Sequence, residues 1–217
     1  MSKLTILRIG RNGLSHYISK QIANLFPDGY DVHATLEAHL NESLIRLHHC
    51  INSVRAWENN IFDPLHSSQY CTFLYFLSNT IWKASGDTEI PTRLFFLNKS
   101  LNGIDLFYEV ELPPIFFIGH SVGLVLAKAK YGNYLVLYQN STIGKNHGDT
   151  PCIEEGVIIY PNSAIIGKSI IRKNTVISQG VSVINQNTEP NSIVYNFEGK
   201  KLIFVKQKKK IIDDFFI

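Results

Sequence analysis

The sequence predicts an α+β chain, with an α-helical domain at residues 1–108, a left-handed parallel β-helix at 109–205 and a basic C-terminal tail at 206–217. Two observations support this division. In the first half the apolar residues recur at helical spacing, whereas in the second half they recur at a strict interval of six. Neither an α-helix nor a simple strand produces a period of six, so the second half is predicted to be a repeat structure.

Four helices are predicted in the first half. They cover two stretches between Leu14 and Trp57, then Ser67 to Lys83 and Ile90 to Phe107. The turn Pro27–Gly29 separates the first two, because proline and glycine disfavour helix interiors. Ser67 or Ser68 is in position to cap the third helix. Pro91 falls in the first turn of the fourth, where a missing N–H has no consequence.

Six consecutive aliphatic residues occur at intervals of six in the second half. They are Ile153, Ile159, Ile165, Ile171, Ile177 and Val183, and four residues after each come Val157, Ser163, Ser169, Thr175, Val181 and Asn187. In a hexapeptide β-helix the aliphatic residue points into a triangular prism and the smaller residue fits a corner, so that stacked coils bury one apolar column. Tyr131, Leu137 and Ile143 continue the phase upstream. Residues 144–151 break the phase and are predicted to form a loop outside the prism.

Composition and charge argue against several classes of function. The chain has 21 basic and 18 acidic side chains, a net charge of +3 that is too balanced to predict a nucleic-acid surface. Cys50, Cys71 and Cys152 are odd in number and widely spaced, which predicts neither a disulfide framework nor a metal site. No segment approaches the ~20 apolar residues of a spanning helix. We therefore expect a cytoplasmic protein that is not inserted in a membrane.

The segment Gly119–Leu126 resembles the active-site segment of the serine acetyltransferase family, in which a His is followed by two residues, a Gly and an aliphatic run. The resemblance continues through Tyr138–Gly144 and the repeats that follow. Upstream, Asp63-Pro64 resembles the Asp-Pro of the family's acceptor site, and Phe107–Pro113 resembles the segment with the acid that orients the His. From residue 63 onward the chain is thus similar to serine acetyltransferase-like hexapeptide-repeat acyltransferases.

The resemblance implies an O-acetyltransferase that uses acetyl-CoA as co-substrate, needs no metal and works as a homotrimer with sites between prisms. It implies that His120 is the general base and that Glu111, or Glu109 in its place, orients it. The expected acceptor contacts are Asp63, Pro64, Tyr108, Asn140, His147 and Asp149. The expected acetyl-CoA contacts are Tyr160, Pro161, Asn162, Ser178, Gln179, Lys206 and Lys208, where lysine suits phosphate as a point charge.

The chain departs from the family pattern in the loop before Pro151. Serine acetyltransferases carry an Arg-His pair there that contacts the amino-acid acceptor, whereas the matching positions here are Asp149 and Thr150. An acceptor carboxylate would lack its cationic partner, unless His147 compensates. This departure resembles the enzymes of capsule and O-antigen loci and predicts a sugar or glycan hydroxyl as acceptor. A true serine O-acetyltransferase and a non-catalytic trimeric scaffold remain alternatives, since fold alone does not decide function.

Overall fold

The computed structural model describes residues 4–197 and 201–217. These residues fall into two compact units. The first, here called the helical unit, extends to Asn52 and continues with Trp57–Glu109. The second, the solenoid unit, consists of Ser53–Ala56 and the chain from Val110 onward. Within the described residues, none of the helices has the length and apolar character needed to cross a membrane.

The helical unit is built from four helices and three short strands. They are β1 (Thr5–Ile6), α1 (Gly10–Leu25), α2 (His33–Ile51), β2 (Ile61–Phe62), α3 (Ser67–Ser85), α4 (Glu89–Asn102) and β3 (Asp105–Leu106). Helix α3 is central, because every residue from Ser68 to Ile81 is buried. Leu36, Leu40 and Leu47 give α2 a buried stripe at the predicted helical spacing. Strands β1 and β2 pair in parallel.

Two helix ends differ from those predicted. Helix α4 ends at Asn102, short of the predicted end at Phe107, because Gly103 takes a left-handed φ of 64° and closes the helix. Helix α3 is capped by the ring of His66, which accepts a backbone N–H of the first turn, and neither Ser67 nor Ser68 acts as the cap. The glycine that follows α4 is a local signal for the end of a helix, but the apolar spacing continues beyond it and predicted a longer helix.

Short strands succeed one another through the solenoid unit. They are β4 (Phe116–Ile118), β5 (Val125–Leu126), β6 (Lys130–Tyr131), β7 (Leu135–Leu137), β8 (Thr142–Gly144), β9 (Cys152–Ile153), β10 (Ile158–Ile159), β11 (Ala164–Ile166), β12 (Ile170–Ile171), β13 (Val176–Ile177), β14 (Ser182–Ile184), β15 (Ser192–Phe197) and β16 (Lys201–Lys206). Parallel pairing connects β4, β7, β10, β13 and β15 on one face, β5, β8, β11 and β14 on a second, and β6, β9 and β12 on a third. Strand β16 pairs antiparallel with β15.

The interior of the solenoid follows the six-residue period. All six aliphatic residues of the repeat are 0–1% exposed. The smaller corner residues Ser163, Ser169 and Thr175 are equally buried. Their hydroxyls donate to backbone oxygens, as Ser163 does to the carbonyl of Ser178 at 3.0 Å, so the corners bury no unpaired hydroxyl. The inward-facing column predicted from the period is therefore confirmed.

The C-terminal residues pack back onto the solenoid unit. After β16 the chain forms a short 3-10 helix at Ile211–Asp214. The guanidinium of Arg55 donates to the carbonyl oxygens of Asp213 and Phe216 at 2.9 and 2.8 Å. The ring of Phe215 lies 6.4 Å from that of Tyr138, measured between centroids. These two bonds fix the C-terminal segment to residues 53–56 of the solenoid unit.

Candidate functional site

One edge of the solenoid stacks the turns that follow β4, β7, β10 and β13. These turns are residues 119–124, 138–141, 160–163 and 178–181, and strand register aligns them coil by coil. The first turn is longer than the others. Five residues separate Gly119 from Val125, whereas three separate Tyr138 from Thr142, the residues that align with them in the next coil. His120 lies in this longer turn and is exposed. We call this row of turns the His120 edge.

Aromatic rings fill the space beside His120. Its imidazole centroid lies 6.3 Å from the ring of Tyr138, which stacks on Tyr160 of the next coil at 5.5 Å with an interplanar angle of 14°. Burial raises the pKa of the Tyr138 phenol, and the adjacent Tyr160 adds to the effect. A Cβ at Gly119 would lie 2.5 Å from Cε1 of Tyr138, so this ring can lie against the backbone beside His120 only because the residue there is glycine.

The turn of His120 is closed by its neighbours in the next coil. Gly123 has a left-handed φ of 75°, and the backbone N–H of Asn140 donates to the carbonyl of Val122 at 2.9 Å. Asn140, a predicted acceptor contact, is exposed and borders this turn. The neighbouring Gln139 has a buried amide oxygen without a hydrogen-bond partner among the described residues. The edge therefore presents the imidazole of His120 and the side-chain amide of Asn140 from two adjacent coils, while the amide oxygen of Gln139 is buried.

The predicted acid partners of His120 lie in different units. Glu111 is exposed in the solenoid unit, and Glu109 is half-buried at the end of the helical unit. Among the described residues of the solenoid unit, the imidazole of His120 makes no hydrogen bond, to Glu111 or to any other side chain. Its ring lies beside that of Tyr138. The choice between Glu111 and Glu109 remains a prediction.

The residues predicted to contact acetyl-CoA occupy two edges. Tyr160, Pro161, Asn162, Ser178 and Gln179 all belong to turns of the His120 edge. Lys206 ends β16, and Lys208 lines a cavity of about 230 Å³ together with Asn174, Asn191 and two further lysines. Asn174 belongs to the turn after β12, a different corner of the prism. The structure thus aligns the first five residues with His120 and places the lysines elsewhere.

The loop at residues 145–150 presents polar side chains to solvent. Backbone hydrogen bonds between Asn146 and Asp149, both 3.0 Å, close a tight turn. His147 and Gly148 form its tip with positive φ values of 47° and 91°. His147 and Asp149 are both exposed. The carboxylate that replaces the expected cation therefore stands on a well-defined turn.

In the helical unit, Asp63 is held by an arginine that the sequence analysis did not identify. Arg8 donates from Nε to Oδ1 at 2.8 Å and from Nη2 to Oδ2 at 2.9 Å. These bonds, with the N–H of Leu65, lower the pKa of Asp63 to about 2. Pro64 is buried beside it. A single arginine near the N terminus carries no local signal that could have identified it.

Tyr108, another predicted acceptor contact, is packed into the helical unit. Its side chain is 3% exposed. Its ring lies 4.1 Å from Phe107 and 6.2 Å from Trp82, and its carbonyl accepts from Nδ2 of Asn79 at 2.8 Å.

Among the described residues, no group of three or more His, Cys, Asp or Glu side chains is placed to hold a metal ion.

Comparison with known proteins identifies serine acetyltransferases as similar. No protein-family model matches the sequence. The serine acetyltransferase of Buchnera aphidicola subsp. Baizongia pistaciae is 29% identical over 157 residues, which cover 66% of this chain and 59% of that protein. The match thus spans less than two thirds of its length.

Solved structures show the same fold at low sequence identity. The serine acetyltransferase of Brucella abortus strain S19 matches with a TM-score of 0.68 at 16% identity, covering 91% of this chain and 84% of that one. The Neisseria gonorrhoeae enzyme, solved in complex with serine, matches with a TM-score of 0.64 at 18% identity, covering 87% and 82%. The predicted fold, N-terminal helices followed by a left-handed β-helix, is confirmed.

Proposed function

We propose that this chain is an acetyl-CoA-dependent O-acetyltransferase and that its acceptor is L-serine. The observation that carries the proposal is the similarity to serine acetyltransferases in sequence and in fold, with an exposed His120 in the segment that resembles their active site. A general base needs access to its substrate, and the longer turn leaves this imidazole open to solvent.

The comparisons favour serine over the glycan acceptor predicted from the sequence. That prediction depended on Asp149 and Thr150, which stand where the family has an Arg-His pair. The similar proteins are serine acetyltransferases, and one of them was solved with serine bound. A different cation for the serine carboxylate is then required in this chain. The exposed Asp149 is the one observation that still favours a sugar hydroxyl.

The chemistry is a direct transfer between two substrates. The acceptor oxygen attacks the thioester carbonyl of acetyl-CoA while His120 takes the hydroxyl proton. When the tetrahedral intermediate collapses, the C–S bond breaks and the imidazolium returns the proton to the thiolate, giving the O-acetyl ester and free CoA. Backbone N–H groups of the stacked turns stabilise the oxyanion. Tyr160, Pro161, Asn162, Ser178 and Gln179 supply the acetyl-CoA surface along the His120 edge.

A carboxylate that pairs with the imidazolium would speed the proton transfer. Glu111 is our first choice and Glu109 the second; both are accessible at least in part. Tyr108 and Pro64 are left out of the proposed acceptor contacts because both are buried. Glu111→Gln and Glu109→Gln, compared side by side, identify the partner as the variant in which kcat falls while the KM for acetyl-CoA holds.

The decisive assay measures release of the CoA thiol with L-serine as acceptor. We expect saturable transfer, reduced about 10²- to 10⁴-fold in kcat by His120→Ala, the usual contribution of a general base. His16→Ala, which removes an exposed histidine of α1, is the matched control and should leave the rate unchanged. Transfer to nucleotide sugars but not to L-serine would restore the glycan proposal. No transfer to any acceptor would favour the scaffold.

We further propose that the working unit is a homotrimer. Val122, Val125 and Ile184 of the solenoid unit are 63%, 42% and 54% exposed, and association would cover these apolar side chains. Val125 and Ile184 belong to β5 and β14, which lie in the same sheet. Light scattering at micromolar concentration should give three times the chain mass; a stable monomer would contradict the proposal.

A further inference from the structure

Residues 211–217, here called the C-terminal strap, are tied to residues 53–56 of the same unit. The backbone N–H of Arg55 donates to the carbonyl of Phe215 at 2.9 Å, beside the two bonds that its guanidinium donates to the strap. The same two segments form an antiparallel bridge. Backbone and side-chain bonds together therefore fix the course of the strap over the solenoid unit.

The strap brings one ring, that of Phe215, to the segments on either side of the His120 turn. Its centroid lies 6.2 Å from the ring of Phe117 and 6.4 Å from that of Tyr138, both within the usual range for paired aromatic rings. Phe117 belongs to β4, which leads into the turn, and Tyr138 lies beside the imidazole. Phe215 thus contacts the strand before the turn and the coil after it.

Tyr138 is packed so that its ring and the backbone before His120 must move together. A Cβ at Gly119 would lie 2.5 Å from Cε1 and 2.9 Å from Cδ1 of Tyr138, which shows how closely the ring approaches this backbone. A second face of the ring stacks on Tyr160, and Phe215 meets it at an interplanar angle of 72°. Closely packed groups transmit a displacement. A shift of the Phe215 ring would therefore reach Gly119.

The two neighbouring phenylalanines of the strap make different contacts. Phe216 is 5% exposed, and its ring lies 5.4 Å from that of Tyr134, which precedes β7. Phe215 is half-buried and meets Tyr138, which follows β7. Burial of Phe216 anchors the strap at one end of this strand, whereas the contacts of Phe215 are made at the end where His120 lies.

We propose that the C-terminal strap is part of the active site and that Phe215 is a positioning residue for His120. Phe215 holds the ring of Tyr138, and Tyr138 fixes where the turn presents the imidazole. This inference rests on the proposed function, in which His120 is the general base. A catalytic group that is displaced by about 1 Å can lose about a hundredfold in rate, so a ring that touches neither substrate can still set kcat.

The test separates the ring of Phe215 from the strap that carries it. Phe215→Ala removes the ring and leaves the backbone bonds of the strap in place. We expect kcat with L-serine to fall about ten- to a hundredfold, while the KM for acetyl-CoA changes less than about twofold. Phe215→Tyr keeps the ring and should restore kcat. Ile217→Ser is the matched control, because Ile217 belongs to the same strap and is 68% exposed; its kcat should equal that of the wild type.

Hydrogen exchange supplies a readout that a general loss of stability would not produce. In Phe215→Ala exchange should accelerate at residues 119–124 and stay unchanged in β11 and β14, which lie farther along the solenoid. Arg55→Met removes the guanidinium bonds at the other end of the strap. It should accelerate exchange in the strap and at residues 119–124 together, and lower kcat in the same direction.

Each outcome decides the point. An unchanged kcat in Phe215→Ala, or an equal loss in Ile217→Ser, would overturn the inference while the proposed function stands. A loss confined to the KM for acetyl-CoA would also overturn it, because Phe215 would then act on acetyl-CoA binding and not on the base. A wild-type protein without acetyl transfer would overturn the proposed function, and this inference with it.

Discussion

The two units of this chain position their side chains by different means. In the solenoid unit a residue is placed by register, so that Tyr138 and Tyr160 stack because their turns occupy the same position in adjacent coils. In the helical unit residues are placed by single long-range bonds, such as Arg8 to Asp63 over 55 residues. A repeated structure is thus specified locally and many times over, whereas the helical unit depends on individual contacts that occur once.

Buried polar groups show the same contrast. The corner hydroxyls of the solenoid repeat one kind of bond, from Ser141 to the carbonyl of Tyr160 and from Ser163 to that of Ser178. In the helical unit Nδ2 of Asn98 donates to the carbonyl of Cys71 at 3.0 Å, a bond that joins α4 to α3. When one of the repeated bonds is lost, the equivalent bonds in the adjacent coils remain. When a bond that occurs once is lost, no equivalent bond remains.

The largest expected effect concerns the solenoid core. Ile165→Ala removes a fully buried side chain from a central coil and should lower the free energy of unfolding by about 2–5 kcal/mol. Because each coil contacts mainly its neighbours, hydrogen exchange should accelerate in the adjoining coils and leave α3 protected. Leu36→Ala, equally buried in α2, is the counterpart and should accelerate exchange throughout the helical unit. The same exchange pattern in both variants would contradict the contrast between the units.

An intermediate effect is expected at Asn98. Asn98→Ala removes two buried hydrogen bonds, one to the carbonyl of Cys71 and one from Nδ2 of Asn102, and should lower the free energy of unfolding by about 1–3 kcal/mol, the net value of two typical hydrogen bonds. Ser163→Ala removes one corner bond and should lower it by about 0.5–1.5 kcal/mol, the net value of a typical hydrogen bond. Denaturant unfolding of both variants compares them directly. A greater loss in Ser163→Ala would show that the corner bonds are not interchangeable.

The smallest expected effect is the acid sensitivity of the exposed ion pair. The pKa of Asp63 is lowered to about 2 in the folded chain, below the value of about 3.9 for an unperturbed aspartate. Its contribution is therefore complete above pH 4 and is lost as the pH falls towards 2. For an exposed pair it should not exceed about 1 kcal/mol. Asp63→Asn should reduce the change in melting temperature between pH 4 and pH 2. An identical change in the variant and the wild type would contradict this prediction.

Periodic features could be predicted from the sequence because they are local. Ile153 and Ile171 face inward because each occupies the same position in its hexapeptide, and both are 0–1% exposed. The helices follow from apolar spacing for the same reason, although Gly103 ends α4 early. His120 was found through a contiguous motif. Each of these depends on residues within a few positions of one another.

Contacts between segments that are distant in the chain were decided by tertiary structure. The sequence by itself determined the inward column of the solenoid, the four helices and the choice of His120 as the candidate base. The exposure of His120 depends on how its longer turn lies over Tyr138 of the next coil, and the ion pair of Arg8 with Asp63 depends on a strand pairing that brings residues 8 and 63 together. No periodicity encodes these contacts, because they arise only when segments distant in the chain have packed together.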